Sequence, residues 1–375
     1  MRVVASRGGG FYEATGNAVN ESGLRSGPLP GSRAGRVGVM RIAVLGAGAW
    51  GMTLALLSHA SGNGTTLICR RPELAEHLRS QRRHPTSLRD VVIPSGIAIT
   101  ADGEPTISDA DIVILATPAQ RLRSAISPLQ AGLRGKIVVS GAKGLEAGTL
   151  LRPTQVIEEV LAAAAGTGIC ALSGPNLANE VAHGKPAAAV VAGDAAVAGI
   201  VQRAISTTRF RVYVGEDVIG VEMGGALKNI IAIGAGIGDG LAAGNNAKAA
   251  FLTRGIAEIA RLGVAAGAQP LTFAGLSGIG DLIATCSSPL SRNHTVGREL
   301  AKGRNLDDIL ASMSEVAEGV PTTRAAFALG ERLGVELPII EQMHHVLFEG
   351  RSPMAAVSSL MERDPGPELS GLASS

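Results

Sequence analysis

The sequence predicts an α/β fold in which a doubly wound parallel sheet is followed by an all-helical domain. The first observation is that short apolar runs alternate with helical stretches from Arg41 to Val214. These runs lack polar alternation, as strands do when both faces of a parallel sheet are covered. The second observation is that, from Val221 to Leu360, only helical signals and Gly, Pro and Ser breaks occur.

The elements follow from these patterns. The predicted strands are Arg41–Leu45, Thr65–Cys69, Asp111–Ala116, Lys136–Ser140, Ile169–Ser173, Ala187–Val191 and Phe210–Val214. The predicted helices are Trp50–Ala60, Pro72–Arg82, Gln120–Gln130, Pro153–Ala164, Gly220–Ala235, Asn246–Ala266, Thr295–Lys302, Leu306–Met313, Pro321–Leu333 and Ile339–Phe348. Within the first long C-terminal helix, Gly234 and Gly238 lie one turn apart, which predicts a close contact with another helix.

Four segments are expected along the chain. Residues 40–218 form the dinucleotide-binding domain, and residues 219–363 form the helical substrate domain. Residues 1–39 are rich in Gly and Arg without apolar periodicity, which indicates a disordered extension or a start assigned upstream of Met40. Residues 364–375 are predicted to be a frayed tail.

Composition excludes several classes of protein. With 46% hydrophobic residues the chain is not mainly disordered, and a net charge of +2 with few aromatic residues argues against nucleic-acid binding. The long uncharged stretches contain Gly, Pro, Ser and Asn, so no membrane span is predicted. The three cysteines are far apart and have no zinc-ligand spacing, so we expect no metal site and a reduced, cytoplasmic protein.

A glycine-rich turn follows the first strand. The segment Gly46-Ala-Gly48-Ala-Trp-Gly51 is a G-x-G-x-x-G pattern between a predicted strand and a predicted helix. In a Rossmann-type domain the first glycine permits the turn, the second lets a pyrophosphate approach, and the third permits close packing of the helix. Free N–H groups at the helix start favour the phosphates. The alternative is a glycine-rich turn without a ligand.

Two arginines end the second predicted strand, where NAD-specific domains usually have an acidic residue. The guanidinium groups of Arg70 and Arg71 can hold a 2′-phosphate bidentately. We therefore expect NADP(H) to be preferred, with NAD(H) also accepted. The alternative is that both arginines are solvated loop charges.

Polar residues occur in or directly after apolar segments at three places in the chain. Lys143 follows a buried strand, at the sheet edge where ligands bind in open α/β folds. The segment Ser173-Gly174-Pro175-Asn176 follows another strand. Lys228 and Asn229 interrupt an apolar helix, and because burying a lysine is costly, Lys228 is either salt-bridged in the core or functional.

Further polar residues lie downstream. Asp281 follows Gly280, so capping of a short helix would by itself explain an aspartate there. Arg292 would ordinarily be a solvated surface charge. Taken together with the lysines and asparagines, these residues suit a small, phosphorylated substrate with a hydroxyl group.

These segments resemble those of the bacterial NAD(P)-dependent sn-glycerol-3-phosphate dehydrogenases. The similar segments are GAGAWG, AKGLE, SGPNLA, GGALKNIIAIGAG, GIGDLIATC, SRN and EGVPTT, in family order from about Arg41 to Arg363. The resemblance implies a two-domain fold like that of 6-phosphogluconate dehydrogenase. It also implies a homodimer that reduces dihydroxyacetone phosphate to sn-glycerol 3-phosphate for glycerophospholipid synthesis.

The resemblance also implies roles for residues. Lys228 would be the catalytic proton donor and acceptor, assisted by Lys143 and Asn229. The implied substrate-binding residues are Lys143, Gly174, Asn176, Lys228, Asp281, Ser291, Arg292 and Asn293. The implied cofactor-binding residues are Gly46, Gly48, Ala49, Trp50, Gly51, Arg70, Arg71, Lys143, Ala178, Arg292, Val316 and Glu318.

Two alternatives remain open. One is another two-domain sugar-phosphate or β-hydroxyacid dehydrogenase, and the other is a non-catalytic dinucleotide sensor. A UDP-sugar oxidase is disfavoured, because it needs a catalytic cysteine and Cys286 has no base beside it in the sequence. Since reduction needs protonated Lys228 and oxidation needs the neutral amine, oxidation is expected to have the more alkaline optimum.

Overall fold

A single sheet organises the N-terminal half of the protein. The computed structural model describes residues 39–162, 166–289, 291–313 and 316–364. The expectations for residues 1–38 and for the tail after Asp364 lie outside these ranges. Within them the sheet has eight strands: β1 (Arg41–Leu45), β2 (Gly64–Ile68), β3 (Ala98–Thr100), β4 (Ile112–Leu115), β5 (Ile137–Ser140), β6 (Gly168–Ser173), β7 (Ala187–Ala192) and β8 (Phe210–Gly215).

The strand order is β3-β2-β1-β4-β5-β6-β7-β8. Neighbours are parallel except β6 and β7, which pair antiparallel. Every predicted strand is present, but two expectations were incomplete. The sequence did not predict β3, which has only three residues. The sequence also did not predict that β7 runs antiparallel to β6. The helix between these two strands has only five residues, so it is too short to carry the chain back along the sheet for a parallel strand.

Helices cover both faces of the sheet and form the whole described C-terminal region after β8. They are α1 (Ala49–Ala60), α2 (Pro72–Gln81), α3 (Gly103–Asp109), α4 (Ala119–Ile126), α5 (Gln130–Leu133), α6 (Pro153–Leu161), α7 (Ala178–Ala182), α8 (Ala195–Ile205), α9 (Val218–Gly240), α10 (Asn245–Ala265), α11 (Asp281–Ser287), α12 (Arg292–Ala301), α13 (Leu306–Ala311), α14 (Gly319–Leu333), α15 (Pro338–Phe348) and α16 (Pro353–Met361). The predicted helix over residues 120–130 is interrupted by a 3₁₀ turn that contains Pro128. Six of the described helices were not predicted, namely α3, α5, α7, α8, α11 and α16, although the predicted helix over residues 120–130 reaches the first residue of α5.

Helix α9 is the centre of the helical region. It is long and apolar enough to cross a membrane, but 89% of that apolar window is buried inside the protein, as in the core helix of a folded domain. Its neighbours α10, α11, α12 and α14 pack around it. Glu222, in the first two turns of α9, ties the helix to the sheet domain. Its carboxylate accepts hydrogen bonds from Arg152 Nη1 (2.5 Å) and from the backbone N–H of Thr154 (2.8 Å).

Glycines let α12 approach α9 closely, but they are not the predicted pair. A Cβ on Gly234 would lie 2.3 Å from Phe251 Cζ, whereas one on Gly238 would meet nothing within 4 Å. The prediction for Gly238 was therefore wrong. The contact with α12 instead involves Gly236, where a Cβ would lie 2.0 Å from the carbonyl oxygen of His294, and Gly297 of α12, where a Cβ would lie 1.8 Å from the carbonyl oxygen of Ile233. Successive residues of a helix point about 100° apart, so the packing of α9 against α12 decides which glycine faces α12.

Candidate active site

The turn between β1 and α1 has the shape of a phosphate cradle. Gly46 has φ +115°, and a Cβ there would lie 2.6 Å from the carbonyl oxygen of Ala116. A Cβ on Gly51 would lie 1.8 Å from the carbonyl oxygen of Gly46, so only glycine permits this packing of α1. Gly48 faces open space, and no side chain caps α1, which begins at Ala49. An anionic group can therefore approach the free N–H groups of the helix start.

The side chains around this turn have unused hydrogen-bonding groups. Arg70 and Arg71 follow β2, and both are exposed and make no side-chain hydrogen bond or ion pair with the described residues. Trp50 Nε1 is buried and has no hydrogen-bond partner among the described residues, and the same holds for Thr117 Oγ1 after β4. Buried polar groups are nearly always bonded, so these atoms indicate the place of a ligand. The turn and its surroundings thus suit a dinucleotide, which binds at this switch point of the strand order.

Asp281 joins two lysines from distant parts of the chain. Its Oδ1 lies 2.5 Å from Lys228 Nζ, and its Oδ2 lies 2.7 Å from Lys143 Nζ. Lys228 comes from the middle of α9, and Lys143 comes from the loop after β5. Asp281 is the first residue of α11, and its side chain makes no cap bond there, so the capping explanation was wrong. The lysine Nζ atoms instead converge on one buried carboxylate that is 2% exposed.

Thr285 completes this group and was not predicted. Lys228 Nζ donates to Thr285 Oγ1 at 2.6 Å, and Thr285 Oγ1 lies 3.2 Å from Asp281 Oδ1. The signal was available, since residues four apart on a helix share a face. Lys228 is therefore buried and ion-paired, as the first of the two sequence interpretations, a salt bridge in the core, describes.

Burial lowers the pKa of Lys228 to about 8, because desolvation disfavours the ammonium form. Asp281 opposes that change, and the nearby Lys143 adds to it. Burial raises the pKa of the neighbouring Cys286 thiol to about 12, so this cysteine is not a nucleophile near neutral pH. Lys228 can thus hold or release a proton in a moderately alkaline range, which suits acid–base chemistry.

The two asparagines form a structural link beside the lysines. Asn293 Nδ2 donates to Asn229 Oδ1 at 2.8 Å, and Asn293 Oδ1 accepts from the backbone N–H of Gly319 at 2.9 Å. The amides thereby tie α9, α12 and the start of α14 together. The amide of Asn229 is turned toward α12, and its Nδ2 donates to the backbone carbonyl of Gly225 at 3.5 Å. Ser291 caps α12, since its Oγ accepts from the backbone N–H of His294 at 3.3 Å.

Arg292 is the first residue of α12 and is exposed. Its Nη1 donates to the backbone carbonyl of Val316 at 3.0 Å, which links the start of α12 to the segment before α14. The sequence placed Arg292 on a surface loop, and the structure places it at a helix N-terminus instead. Its positive charge acts on the carboxylate of Glu318.

The loop after β6 lies against Lys143. Gly174 has φ +143°, and its carbonyl oxygen accepts from Lys143 Nζ at 3.0 Å. Asn176 Nδ2 donates to the carbonyl of Ala188 at 2.8 Å, while its Oδ1 is buried without a partner. Ala178 begins α7, and its carbonyl accepts from Thr53 Oγ1 of α1 at 3.1 Å. This loop therefore connects the lysine cluster with the helix of the glycine turn.

Glu318 connects α14 to the sheet domain. Its Oε1 accepts from the backbone N–H of Ala119, the first residue of α4, at 3.2 Å. Burial raises the pKa of Glu318 to about 7, and Arg292 and Arg121 oppose the change. Its Oε2 is buried and has no partner.

A glycine-rich dinucleotide turn together with two lysines on one buried carboxylate is characteristic of two-domain dehydrogenases that use a nicotinamide cofactor. The family models described as the N-terminus and the C-terminus of NAD-dependent glycerol-3-phosphate dehydrogenase match residues 41–198 and 217–358. The chain belongs to this family.

Individual relatives agree. The chain is 47% identical over 335 residues to glycerol-3-phosphate dehydrogenase (NAD(P)+) of Parafrankia sp., with 88% of this chain and 98% of the relative covered. It is 45% identical over 333 residues to the enzyme of the same name from Chlorobium luteolum, with 88% and 99% covered. The crystal structure of glycerol-3-phosphate dehydrogenase from Coxiella burnetii superposes with a TM-score of 0.82 at 31% identity, covering 87% of this chain and 99% of that one.

Proposed function

We propose that the protein reduces dihydroxyacetone phosphate to sn-glycerol 3-phosphate with NAD(P)H, reversibly, by hydride transfer at C2. The observation that carries this proposal is the convergence of Lys228 and Lys143 on Asp281 at the edge of the cleft that follows the sheet. A buried, protonated lysine is what a carbonyl reduction needs, and the family to which the chain belongs supports the same reaction.

Lys228 serves as the acid in reduction. When bound, a reduced nicotinamide supplies a hydride to the carbonyl carbon. Negative charge develops on the substrate oxygen, and the Lys228 ammonium stabilises that charge and donates the proton. Asp281 and Thr285 hold Nζ in place, which limits the reorganisation needed during the reaction. In oxidation, neutral Lys228 accepts the hydroxyl proton.

The substrate is held by the surrounding polar groups. Lys143 and Arg292 supply positive charge for the phosphate, and the unpartnered Oδ1 of Asn176 offers an acceptor for a hydroxyl. Asn293 and Asn229 contribute by fixing α12 against α9, so we assign Asn229 a positioning role. Gly174 allows the substrate loop its close approach to Lys143. Ser291 contributes by capping α12.

The cofactor is held along the edge of the sheet. The backbone of the turn Gly46–Gly51, including Ala49, binds the pyrophosphate, and the Trp50 ring lies beside it. Arg70 and Arg71 bind a 2′-phosphate, so NADP(H) is preferred and NAD(H) is also accepted. The remaining proposed contacts lie toward the other end of the cleft and are Lys143, Ala178, Arg292, Val316 and Glu318.

We further propose a cytoplasmic homodimer that supplies glycerophospholipid synthesis. Family membership supports the assembly and the pathway. The buried free thiols of Cys69, Cys170 and Cys286 support a reducing compartment.

The decisive experiment is NADPH oxidation followed by absorbance with dihydroxyacetone phosphate as substrate. We expect turnover by the natural protein, and a fall in kcat of at least about 100-fold in Lys228→Ala with cofactor affinity nearly kept. Lys302→Ala, which removes an exposed lysine paired with Glu299, is the matched control and should keep full activity. Near-normal kcat in Lys228→Ala would refute the assigned role. Turnover of other sugar phosphates or β-hydroxyacids instead, or cofactor binding without any turnover, would favour the alternative functions.

A further inference from the structure

The loop between β5 and α6 (residues 141–152) carries Lys143, and a side chain of α4 holds its backbone. Gln120 Nε2 donates to the carbonyl of Leu145 at 2.6 Å, and Gln120 Oε1 accepts from the backbone N–H of Ala147 at 2.9 Å. One side-chain amide thus supplies the donor and the acceptor that a neighbouring strand would otherwise supply. The backbone is therefore fixed on both sides of the residue between these two positions.

That residue is Glu146, and a second side chain of α4 binds it. Arg123 Nε donates to Glu146 Oε1 at 3.0 Å, and Arg123 Nη2 donates to Glu146 Oε2 at 2.8 Å. Thr149 Oγ1 donates to the same Oε2 at 2.6 Å. The Glu146 side chain is 12% exposed, and Arg123 holds its pKa below the ordinary value, so the carboxylate is charged at neutral pH. A bidentate arginine–carboxylate pair fixes the geometry of both partners as well as contributing energy.

The same loop also reaches the helical region. Leu145 is fully buried and packs in the core cluster that contains the middle of α9. Lys143 lies two residues earlier, and two residues span at most about 7 Å, so the anchored segment determines where the Lys143 backbone lies. From that position Lys143 Nζ reaches Asp281 Oδ2 at 2.7 Å and the carbonyl of Gly174 at 3.0 Å.

Gln120, Arg123 and Glu146 together form a loop clamp. We propose that the residues of the loop clamp are positioning residues, which hold Lys143 where it binds the substrate phosphate. Among the described residues, none of the three forms a hydrogen bond or an ion pair with the two lysines or the carboxylate of the site. The loop clamp therefore acts on the reaction only through the loop. The inference rests on the proposed function, in which Lys143 supplies positive charge for the phosphate.

The test measures kcat and KM for dihydroxyacetone phosphate at saturating NADPH in single and double variants. Glu146→Gln keeps the shape of the side chain but removes its charge, and Gln120→Leu releases the loop backbone without changing a charge. Arg123→Lys keeps the positive charge but loses the bidentate geometry. Lys143→Ala removes the residue that the loop clamp positions. The matched control is Glu159→Gln, because Glu159 also pairs with Arg123 Nη2 at 2.8 Å but lies on α6.

The single variants should change KM rather than kcat. Glu146→Gln and Gln120→Leu should each raise KM about 3- to 10-fold, the effect of about one hydrogen bond, while kcat stays within about twofold. This split is expected because phosphate binding contributes equally to the substrate complex and to the transition state. Arg123→Lys should give a smaller rise in KM. Glu159→Gln should leave KM within about twofold of the natural protein, because an exposed ion pair contributes little.

The double variant separates a positioning role from a general structural one. Lys143→Ala by itself should lower kcat/KM about 10- to 100-fold, the effect of one hydrogen bond to a charged group. In that background Glu146→Gln should change kcat/KM by less than about twofold, because a residue that is absent cannot be displaced. If Glu146→Gln does not fold, Gln120→Leu enters the same comparison with the same expected result.

Specific outcomes overturn the inference. If Glu146→Gln loses as much kcat/KM in the Lys143→Ala background as in the natural protein, the loop clamp has only a general structural role. Equal rises in KM in Glu146→Gln and Glu159→Gln would mean the same. An unchanged KM in both Glu146→Gln and Gln120→Leu would exclude the positioning role and leave the proposed function intact. If Lys143→Ala leaves KM unchanged, or if the natural protein does not reduce dihydroxyacetone phosphate, the proposed function itself is at fault and the inference fails with it.

Discussion

The pairing of Lys228 with Asp281 makes the pH dependence of the reaction predictable. In the proposed mechanism reduction requires the Lys228 ammonium, so its rate should fall as pH rises through the lysine's pKa of about 8. Oxidation requires the neutral amine, so its rate should rise through the same range. For a single group with this pKa, about half of the lysine is protonated at pH 8 and about a tenth at pH 9.

Replacing Asp281 by Asn tests the cause of this value. The substitution keeps the shape of the side chain but removes the negative charge that opposes desolvation of Lys228. A hydrogen bond to a charged group contributes about 1.5–3 kcal/mol, which corresponds to roughly 1–2 pKa units. The pKa of Lys228 in Asp281→Asn should therefore fall to roughly 6–7. At pH 8, reduction should then be about 5- to 50-fold slower than in the natural protein, with a much smaller loss near pH 6.

The assay is kcat/KM for dihydroxyacetone phosphate at saturating NADPH between pH 5.5 and 10, with the reverse reaction measured alongside. The parameter kcat/KM reports groups of the enzyme before the substrate binds. Thr285→Val should move the profile in the same direction by less, since it removes one neutral acceptor from the ammonium. Asp307→Asn, an exposed change in α13, serves as the control. The reasoning would be refuted if, in Asp281→Asn, the alkaline limb of the pH profile for reduction stayed near pH 8 or moved to higher pH.

Two other predictions concern cofactor choice and helix packing. Arg70→Asp should raise KM for NADPH about tenfold or more while changing KM for NADH little, because it would remove the charged contact proposed for the 2′-phosphate. Arg134→Asp, which changes a distant exposed arginine, is the control, and equal effects on both cofactors would count against the proposed site. Gly236→Ala should destabilise the protein by about 2 kcal/mol or more, because the new Cβ would meet the His294 carbonyl. Gly238→Ala should stabilise it by about 0.5–1 kcal/mol, because its Cβ meets open space and alanine favours a helix. Urea denaturation measures the free energy of unfolding of both glycine variants. Similar changes in the two variants would contradict the packing described at Gly236.

Much of the fold could be predicted from local sequence. The seven predicted strands all exist, because continuous apolar runs between helices leave few other structures. The turn Gly46–Gly51 could also be recognised, since the conformation of each glycine is set within a few residues. The sequence missed β3, whose three residues carry too little pattern to be recognised.

The arrangement of side chains within the site required the tertiary structure. Asp281 lies 53 residues from Lys228 and 138 residues from Lys143, and no local pattern shows that both amines reach one carboxylate. Similarly, Asn229 follows Lys228 directly, yet its amide turns toward α12. The direction of a helical side chain depends on what packs against that face, and a change of one residue turns it by about 100°.

The sequence by itself thus determined the fold class and the glycine turn after the first strand, because these depend on short-range periodicity and spacing. Only the tertiary structure decided the reversal of β7, the choice of Gly236 rather than Gly238 for the contact of α9 with α12, and the ion pairs around Asp281. These features depend on chain segments that are distant in sequence. Their geometry is fixed by mutual packing, which sequence periodicity does not encode.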